Sequence, residues 1–266
     1  MRKYREINLI FYIILIVAFF TITSCNKKID KYRILKTPKK IIDKLGNKRS
    51  FRLFMPADRN PVPMIVYFHG VMSKEFKKMD VLKGYTGSPV EETGLISFCR
   101  VRKIALLIPE PFYSFKFLNV KATGWSPFHK EIDGIEKIIS VVSKSYNIDK
   151  DSIYLAGISA GAVLSHHLAN RHPERYRAIL SHSQAYISED GKILYPSKGH
   201  VKFGVVFCYT RGDYKNLKEL CSESYKVYKK SGYKTVLLKD LPPTSHKWAV
   251  SYNKLFWKLL VRSGRK

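Results

Sequence analysis

The chain has 266 residues, of which 45% are hydrophobic, 13% aromatic and 26% charged. That balance excludes an intrinsically disordered chain, a collagen-like fibre and a disulfide-dense miniprotein, and the length suits one large α/β domain. The formal charge of +27 comes from 34 Lys and 14 Arg scattered along the chain without an Arg-rich helix or zinc finger, so no nucleic-acid partner is expected and attraction to anionic surfaces stays open.

The first segment reads as a targeting signal, either a cleaved lipoprotein signal or an uncleaved signal anchor with Cys25 an ordinary cysteine. Arg2, Lys3 and Arg5 precede an unbroken apolar run, Leu9–Phe20 (LIFYIILIVAFF). Its twelve residues suit the core of a signal peptide and are too few to span a bilayer, which takes about 20. The run leads into Ile22-Thr23-Ser24-Cys25, which resembles a bacterial lipobox. Residues 1–24 are therefore expected to be a lipoprotein signal peptide. Cys25 is expected to carry the lipid, and residues 25–48 to be a polar tether. The expected location is extracytoplasmic, at a bacterial cell membrane. With Cys25 lipidated, Cys99, Cys208 and Cys221 allow at most one disulfide, and no pair has metal-ligand spacing.

From residue 50 onward strands and helices alternate. Apolar runs predict strands at Phe51–Met55, Met64–Phe68, Ile104–Ile108, Ile153–Ala156, Ala178–Ser181, Phe203–Cys208 and Thr235–Leu238. Helical spacing predicts helices through Ile132–Tyr146, Ala162–Arg171, Leu217–Tyr228 and Ala249–Leu260. Several strands are continuously apolar, as strands buried on both faces are. The expected fold is α/β: a doubly wound, mostly parallel sheet with helices on both faces, its active site at the carboxyl ends of the strands.

The chemistry sits at those ends. Ile153–Ala156 is followed by Gly157-Ile158-Ser159-Ala160-Gly161 and then a helix, which is GxSxG in a strand–turn–helix setting. A sharp turn there exposes the Ser159 hydroxyl. The hydroxyl needs a base, and the base needs an acid to fix its tautomer. In chain order the acid follows the serine and the base comes last. Asp213, after the strand ending near Tyr209, is the candidate acid, with Asp240 the runner-up. His246, in the loop before the last helix, is the candidate base. The spacings are 54 and 33 residues. The N–H groups of Ala160 and of Val71, after Tyr67-Phe68-His69-Gly70, are the expected oxyanion donors. His69 itself reads as an anchor for that loop. His182 follows a strand and is a candidate substrate contact. His166 and His167 lie two turns into the helix after Ser159, too far along to reach its hydroxyl.

These motifs resemble the α/β-hydrolase superfamily, and more narrowly its secreted esterases, the polyhydroxybutyrate depolymerases and feruloyl esterases. The likeness runs from about Arg52 to Trp248. It rests on Tyr67-Phe68-His69-Gly70, on Asp149–Gly161, on His172-Pro173-Glu174-Arg175-Tyr176, on Gly212-Asp213 and on Ser245-His246-Lys247-Trp248. It implies an α/β-hydrolase domain over residues 49–266, ester substrates, the triad Ser159, Asp213, His246, and no metal or organic cofactor. Asp133 falls on an often acidic position and reads as structural. Ser181-His182-Ser183-Gln184 departs from the small residues common there.

Two insertions flank the site. Phe112–His129 holds Phe112, Tyr113, Phe115, Phe117, Trp125 and Phe128, either a substrate platform with Trp125 in it or core packing under a long loop. Tyr186–His200 is either a short lid or a surface excursion. Two rival functions stay open: a serine peptidase, although peptidases of this fold often carry a propeller for which 266 residues leave no room, and a non-catalytic binding lipoprotein.

Overall fold

Apolar runs with no polar face become the middle of one sheet. The computed structural model describes residues 33–36, 41–58, 60–73, 87–117, 120–125 and 128–264. The expected signal segment and Cys25 lie outside them. In chain order the elements are β1 (Arg33–Lys36), β2 (Ile41–Ile42), β3 (Lys48–Arg49), β4 (Phe51–Met55), β5 (Val62–Phe68), α1 (Leu95–Arg102), β6 (Ala105–Pro109), β7 (Ser114–Phe117), β8 (Val120–Thr123) and α2 (Phe128–Ser145). Then come β9 (Ile148–Ile158), α3 (Ala160–Arg171), β10 (Ala178–His182), β11 (Gly204–Thr210), α4 (Lys215–Lys230), β12 (Thr235–Leu241) and α5 (Asn253–Ser263).

Eight strands form one sheet in the order β1-β4-β6-β5-β9-β10-β11-β12. Every neighbouring pair from β6 to β12 is parallel, and β4 runs against both of its neighbours. Residues 62–68, 105–109, 178–182 and 204–210 are buried almost throughout, because helices cover both faces. On one face Ile135, Ile138 and Val142 of α2 and Leu164 and Leu168 of α3 pack against Val66, Leu155, Ile179 and Val205. On the other, Leu95 of α1 and Phe256 and Leu260 of α5 lie over Ile65, Ala156 and Leu180. Leu155 and Ala156 face opposite ways, as the two-residue period of a strand requires. The doubly wound sheet expected from the sequence is thus the one observed. Among the described residues, no helix is long and apolar enough to cross a membrane.

The expected tether over residues 25–48 needs correcting. The folded unit begins at Arg33. Arg33–Lys36 pair antiparallel with β4, Arg33 opposite Met55. β2 and β3 form a hairpin whose turn is held by Asp43, its Oδ1 accepting the N–H groups of Leu45 and Asn47, each at 2.9 Å. Arg49, at the end of that hairpin, is only 1% exposed. Its guanidinium donates to the Glu131 carboxylate of α2, stands 3.8 Å from Asp43 and lies 5.2 Å from the centre of the Phe112 ring. Glu131 Oε1 accepts the N–H groups of Phe112 (2.9 Å) and Tyr113 (3.1 Å). One buried ion pair therefore ties the hairpin, α2 and the loop after β6 together. Buried charges persist only when paired and hydrogen-bonded in this way.

Candidate active site

Ser159 is held by a turn that only small neighbours permit. It caps α3 with φ 55° and ψ −126°, a region that disfavours side chains. A Cβ on Gly157 would stand 2.2 Å from the Gly161 carbonyl oxygen, and one on Gly161 would stand 2.2 Å from that of Phe68. The two glycines thus let the turn close on itself and against the end of β5. The Ser159 N–H donates to the His182 carbonyl of β10 at 2.9 Å, which fixes the turn to the neighbouring strand.

The loop after β5 lies beside it. The N–H groups of Gly70 and Met72 donate to Gly87 and Thr123, both at 2.8 Å. Between them, the Val71 N–H has no acceptor among the described residues, nor has the N–H of Ala160 at the first position of α3. His69 anchors this loop: its Nδ1 donates to the Gly70 carbonyl at 2.5 Å, and its own carbonyl accepts Trp125 Nε1 at 2.6 Å. Burial drives the His69 pKa down to about 4, so the ring is neutral.

Asp213 and His246 come from two loops that Gly212 allows to touch. A Cβ on Gly212 would stand 2.0 Å from backbone atoms of Thr244 and Ser245. Thr210 Oγ1 ties the same loops by donating to the Ser245 carbonyl at 2.9 Å. His246 Nδ1 donates to Asp213 Oδ1 at 2.5 Å. Asp213 Oδ2 accepts the Ser183 hydroxyl and the Thr210 N–H, both at 2.6 Å. Burial alone raises a carboxyl pKa, yet the Asp213 pKa lies below its ordinary value, because His246, Ser183 and Thr210 all stabilise the anion. A carboxylate only accepts, so His246 carries a proton on Nδ1, and in the neutral ring Nε2 is the acceptor.

Ser159 and His246 line one cavity of about 450 Å³, together with Val71 and Ala160. Phe128, Val163, Ile187 and Leu217 give it apolar walls, and Gln184, Tyr214 and Asn216 add polar ones. Among the described residues, no Lys, Arg, Asp or Glu lines it. His167 steadies part of the wall, stacked on Phe128 at 5.2 Å with Nε2 donating to the Ile187 carbonyl at 2.8 Å.

Two expected substrate contacts lie elsewhere. Trp125 is fully buried, edge-on to Phe68 at 5.2 Å, and supports the loop after β5 without lining the cavity. His182 is also fully buried, behind Asp213, and does not reach the cavity either. Of the aromatic stretch, Phe128 reaches the cavity while Phe112 packs against Arg49. The stretch is also less of a loop than expected, since it holds the hairpin β7–β8. The side chains of Phe115 and Phe117 lie outside the described residues. Asp240 is exposed and pairs with Lys218 at 3.2 Å, away from His246. Asp133 pairs with Arg171 of α3 at 2.9 Å, a structural contact. Cys99, Cys208 and Cys221 are free and buried. Sequence reasoning missed Val163, Gln184, Tyr214, Asn216 and Leu217 as cavity residues, and Ile187 lies in the Tyr186–His200 stretch, which reads from sequence as either a lid or a surface excursion. Val163 was within reach of it, because residue i+4 from Ser159 faces the same way on a helix.

The sequence matches the model of the Esterase family, described as "Putative esterase", over residues 42–201. Among solved structures it is similar to a thermostable esterase (16% identity, TM-score 0.56, 88% of this chain and 63% of that one). It is also similar to a "putative dipeptidyl aminopeptidase IV" from Bacteroides ovatus (14%, TM-score 0.63, 88% and 36%) and to a ferulic acid esterase from Anaeromyces mucronatus (14%, TM-score 0.59, 88% and 90%). The chain spans less than two thirds of the length of the first two. These likenesses show the α/β-hydrolase fold. No curated protein sequence matches it.

Proposed function

Because the chain belongs to the Esterase family, we propose that it hydrolyses carboxylic esters through an acyl-enzyme formed on Ser159. The observation that carries this reading is the strained Ser159 turn opening into the cavity that also holds His246, whose Nδ1 is bound to Asp213. His246 Nε2 takes the hydroxyl proton as Ser159 Oγ attacks the carbonyl carbon. The N–H groups of Val71 and Ala160 receive the oxyanion. Asp213 stabilises the imidazolium, which then protonates the leaving alcohol. Water, deprotonated by His246, attacks the acyl-enzyme and releases the acid, and Ser159 recovers its proton.

The lining supports a neutral ester with an apolar acyl group, since a charged acyl group would find no counter-ion among the described wall residues. Turnover of nitrophenyl esters from acetate to long chains tests this, with a peptide amide alongside. Ester turnover that follows chain length supports the reading. Amide turnover without ester turnover would favour a peptidase.

For the N-terminus we propose signal cleavage before Cys25 and lipid attachment there, supported by the apolar run and the small residues preceding the cysteine. Labelling with a radioactive fatty acid in cells tests it. Label retained in Cys25→Ala would rule it out.

A further inference from the structure

Behind Asp213 lies a buried polar chain that the proposed reaction does not use. Ser183 and His182 are both fully buried. His182 Nδ1 stands 2.7 Å from Ser183 Oγ, and its Nε2 stands 3.2 Å from the Ala249 N–H. The Ala249 N–H can only donate, so Nε2 is the acceptor and Nδ1 carries the proton. Ser183 Oγ therefore accepts from His182, and its own proton goes to Asp213 Oδ2 at 2.6 Å. The direction of every bond follows from the backbone N–H at the far end.

The far end belongs to the loop that carries His246. Ala249 lies three residues beyond it, and the intervening Trp248 stacks on the His182 ring at 5.2 Å. The His182 carbonyl also accepts the Ser159 N–H. Residues 182 and 183 thus touch the backbone of Ser159, the carboxylate of Asp213 and the loop of His246. Ser183 adopts φ 58°, where glycine fits with less strain, yet the residue there bears a hydroxyl.

We propose that Ser183 and His182 are positioning residues that hold the Asp213 carboxylate and the His246 loop in register for proton transfer. The inference rests on the catalytic reading above. The titratable groups around the pair are Asp213, His246, Cys208 and Cys221. Burial keeps both thiols protonated and holds His182 neutral, its pKa lowered to about 3, so the chain keeps its polarity across the working range.

The test measures kcat and KM for nitrophenyl acetate against pH in wild type, Ser183→Ala, Ser183→Gly, Asp213→Asn and the double variant Asp213→Asn/Ser183→Ala. Both Ser183 variants are expected to lose about 10–100-fold in kcat with KM within about twofold, as a small misplacement of reacting groups does. With one donor fewer, Asp213 holds the imidazolium proton more tightly, so the acidic limb of kcat/KM moves upward by about half a unit. In the double variant Ser183→Ala costs nothing further, because it acts through Asp213.

Ser183→Gly relieves the strained backbone, so a merely structural role predicts that its activity recovers with its stability. Wild-type kcat and pH profile in folded Ser183 variants, or a full multiplicative loss in the double variant, would overturn the proposal while leaving the catalytic reading intact. Absence of Ser159-dependent turnover in wild type would overturn both. Should neither Ser183 variant fold, His182→Asn keeps an N–H for Ser183 and frees Ala249. Asp213 then keeps its three donors while the His246 loop loses its tie to residue 182, so a fall of about 10-fold in kcat with KM and the acidic limb unchanged is expected, and wild-type kcat counts against the proposal.

Discussion

Glu131 and Asp213 are the same device put to different ends. Each is a buried carboxylate with three donors on its two oxygens. Glu131 takes Arg49 and the N–H groups of Phe112 and Tyr113, and Asp213 takes His246, Ser183 and Thr210. The difference lies in the partner. A guanidinium never gives up its proton, so Glu131 locks the N-terminal hairpin to α2. An imidazole does give up its proton, and this one faces a cavity beside a strained serine. Satisfied burial of an acid is thus not itself a mark of catalysis. The proposed catalytic role of Asp213 rests on its titratable partner and the opening beside it.

Substitution separates the two roles. Asp213→Asn is expected to lower kcat by about 10⁴ with little change in unfolding midpoint, because it misdirects the imidazole tautomer. Glu131→Gln is expected to do the reverse. It leaves the buried guanidinium with only the more distant Asp43, at a cost of about 3 kcal/mol in urea unfolding, with kcat near wild type in the folded fraction. Adding Arg49→Met should restore part of that loss. Equal loss of activity in both variants would erase the distinction.

Gly212→Ala sharpens it from the side of the loops. The new methyl meets Thr244 and Ser245, so Asp213 and His246 are pushed apart. A fall of about 10–100-fold in kcat is expected, with about 1–3 kcal/mol lost in unfolding.

Acid should weaken the site region through neutral histidines. Burial lowers the pKa of His69 to about 4 and those of His166 and His182 to about 3. The unfolded chain binds their protons from about pH 6.5 downward and the folded chain does not. Their stabilising contribution is present above about pH 6.5 and is lost as pH falls toward 4, at about 1.4 kcal/mol per unit for each ring. Asp213 acts lower, its lowered pKa adding stability that disappears only below the ordinary carboxylate range. Urea midpoints at pH 7 and pH 5 measure the first effect, and equal midpoints would contradict it. The smallest effect is expected of Asp240→Asn, an exposed acid paired with Lys218: within about 0.5 kcal/mol in stability and twofold in kcat.

The central strands were legible because burial on both faces leaves continuous apolar runs such as Phe203–Cys208. The Ser159 turn was legible because steric closure demands its two glycines. β1, β2 and β3 were not, since strands of two to four residues are too short to carry a hydrophobic period. Nor was α1, whose LISFCRVR buries only Leu95 and Cys99. Trp125 looked like a binding surface because an aromatic in a long loop has no local sign of its packing. The links from Ser183 to Asp213 and from His182 to Ala249 join residues far apart in sequence, and no local pattern announces them.

The central claim is that Ser159 is the nucleophile, and a fluorophosphonate probe tests it most directly. Wild type is expected to label once, at Ser159, with Ser159→Ala unlabelled although folded. Undiminished labelling of Ser159→Ala, or no labelling of folded wild type, would contradict it.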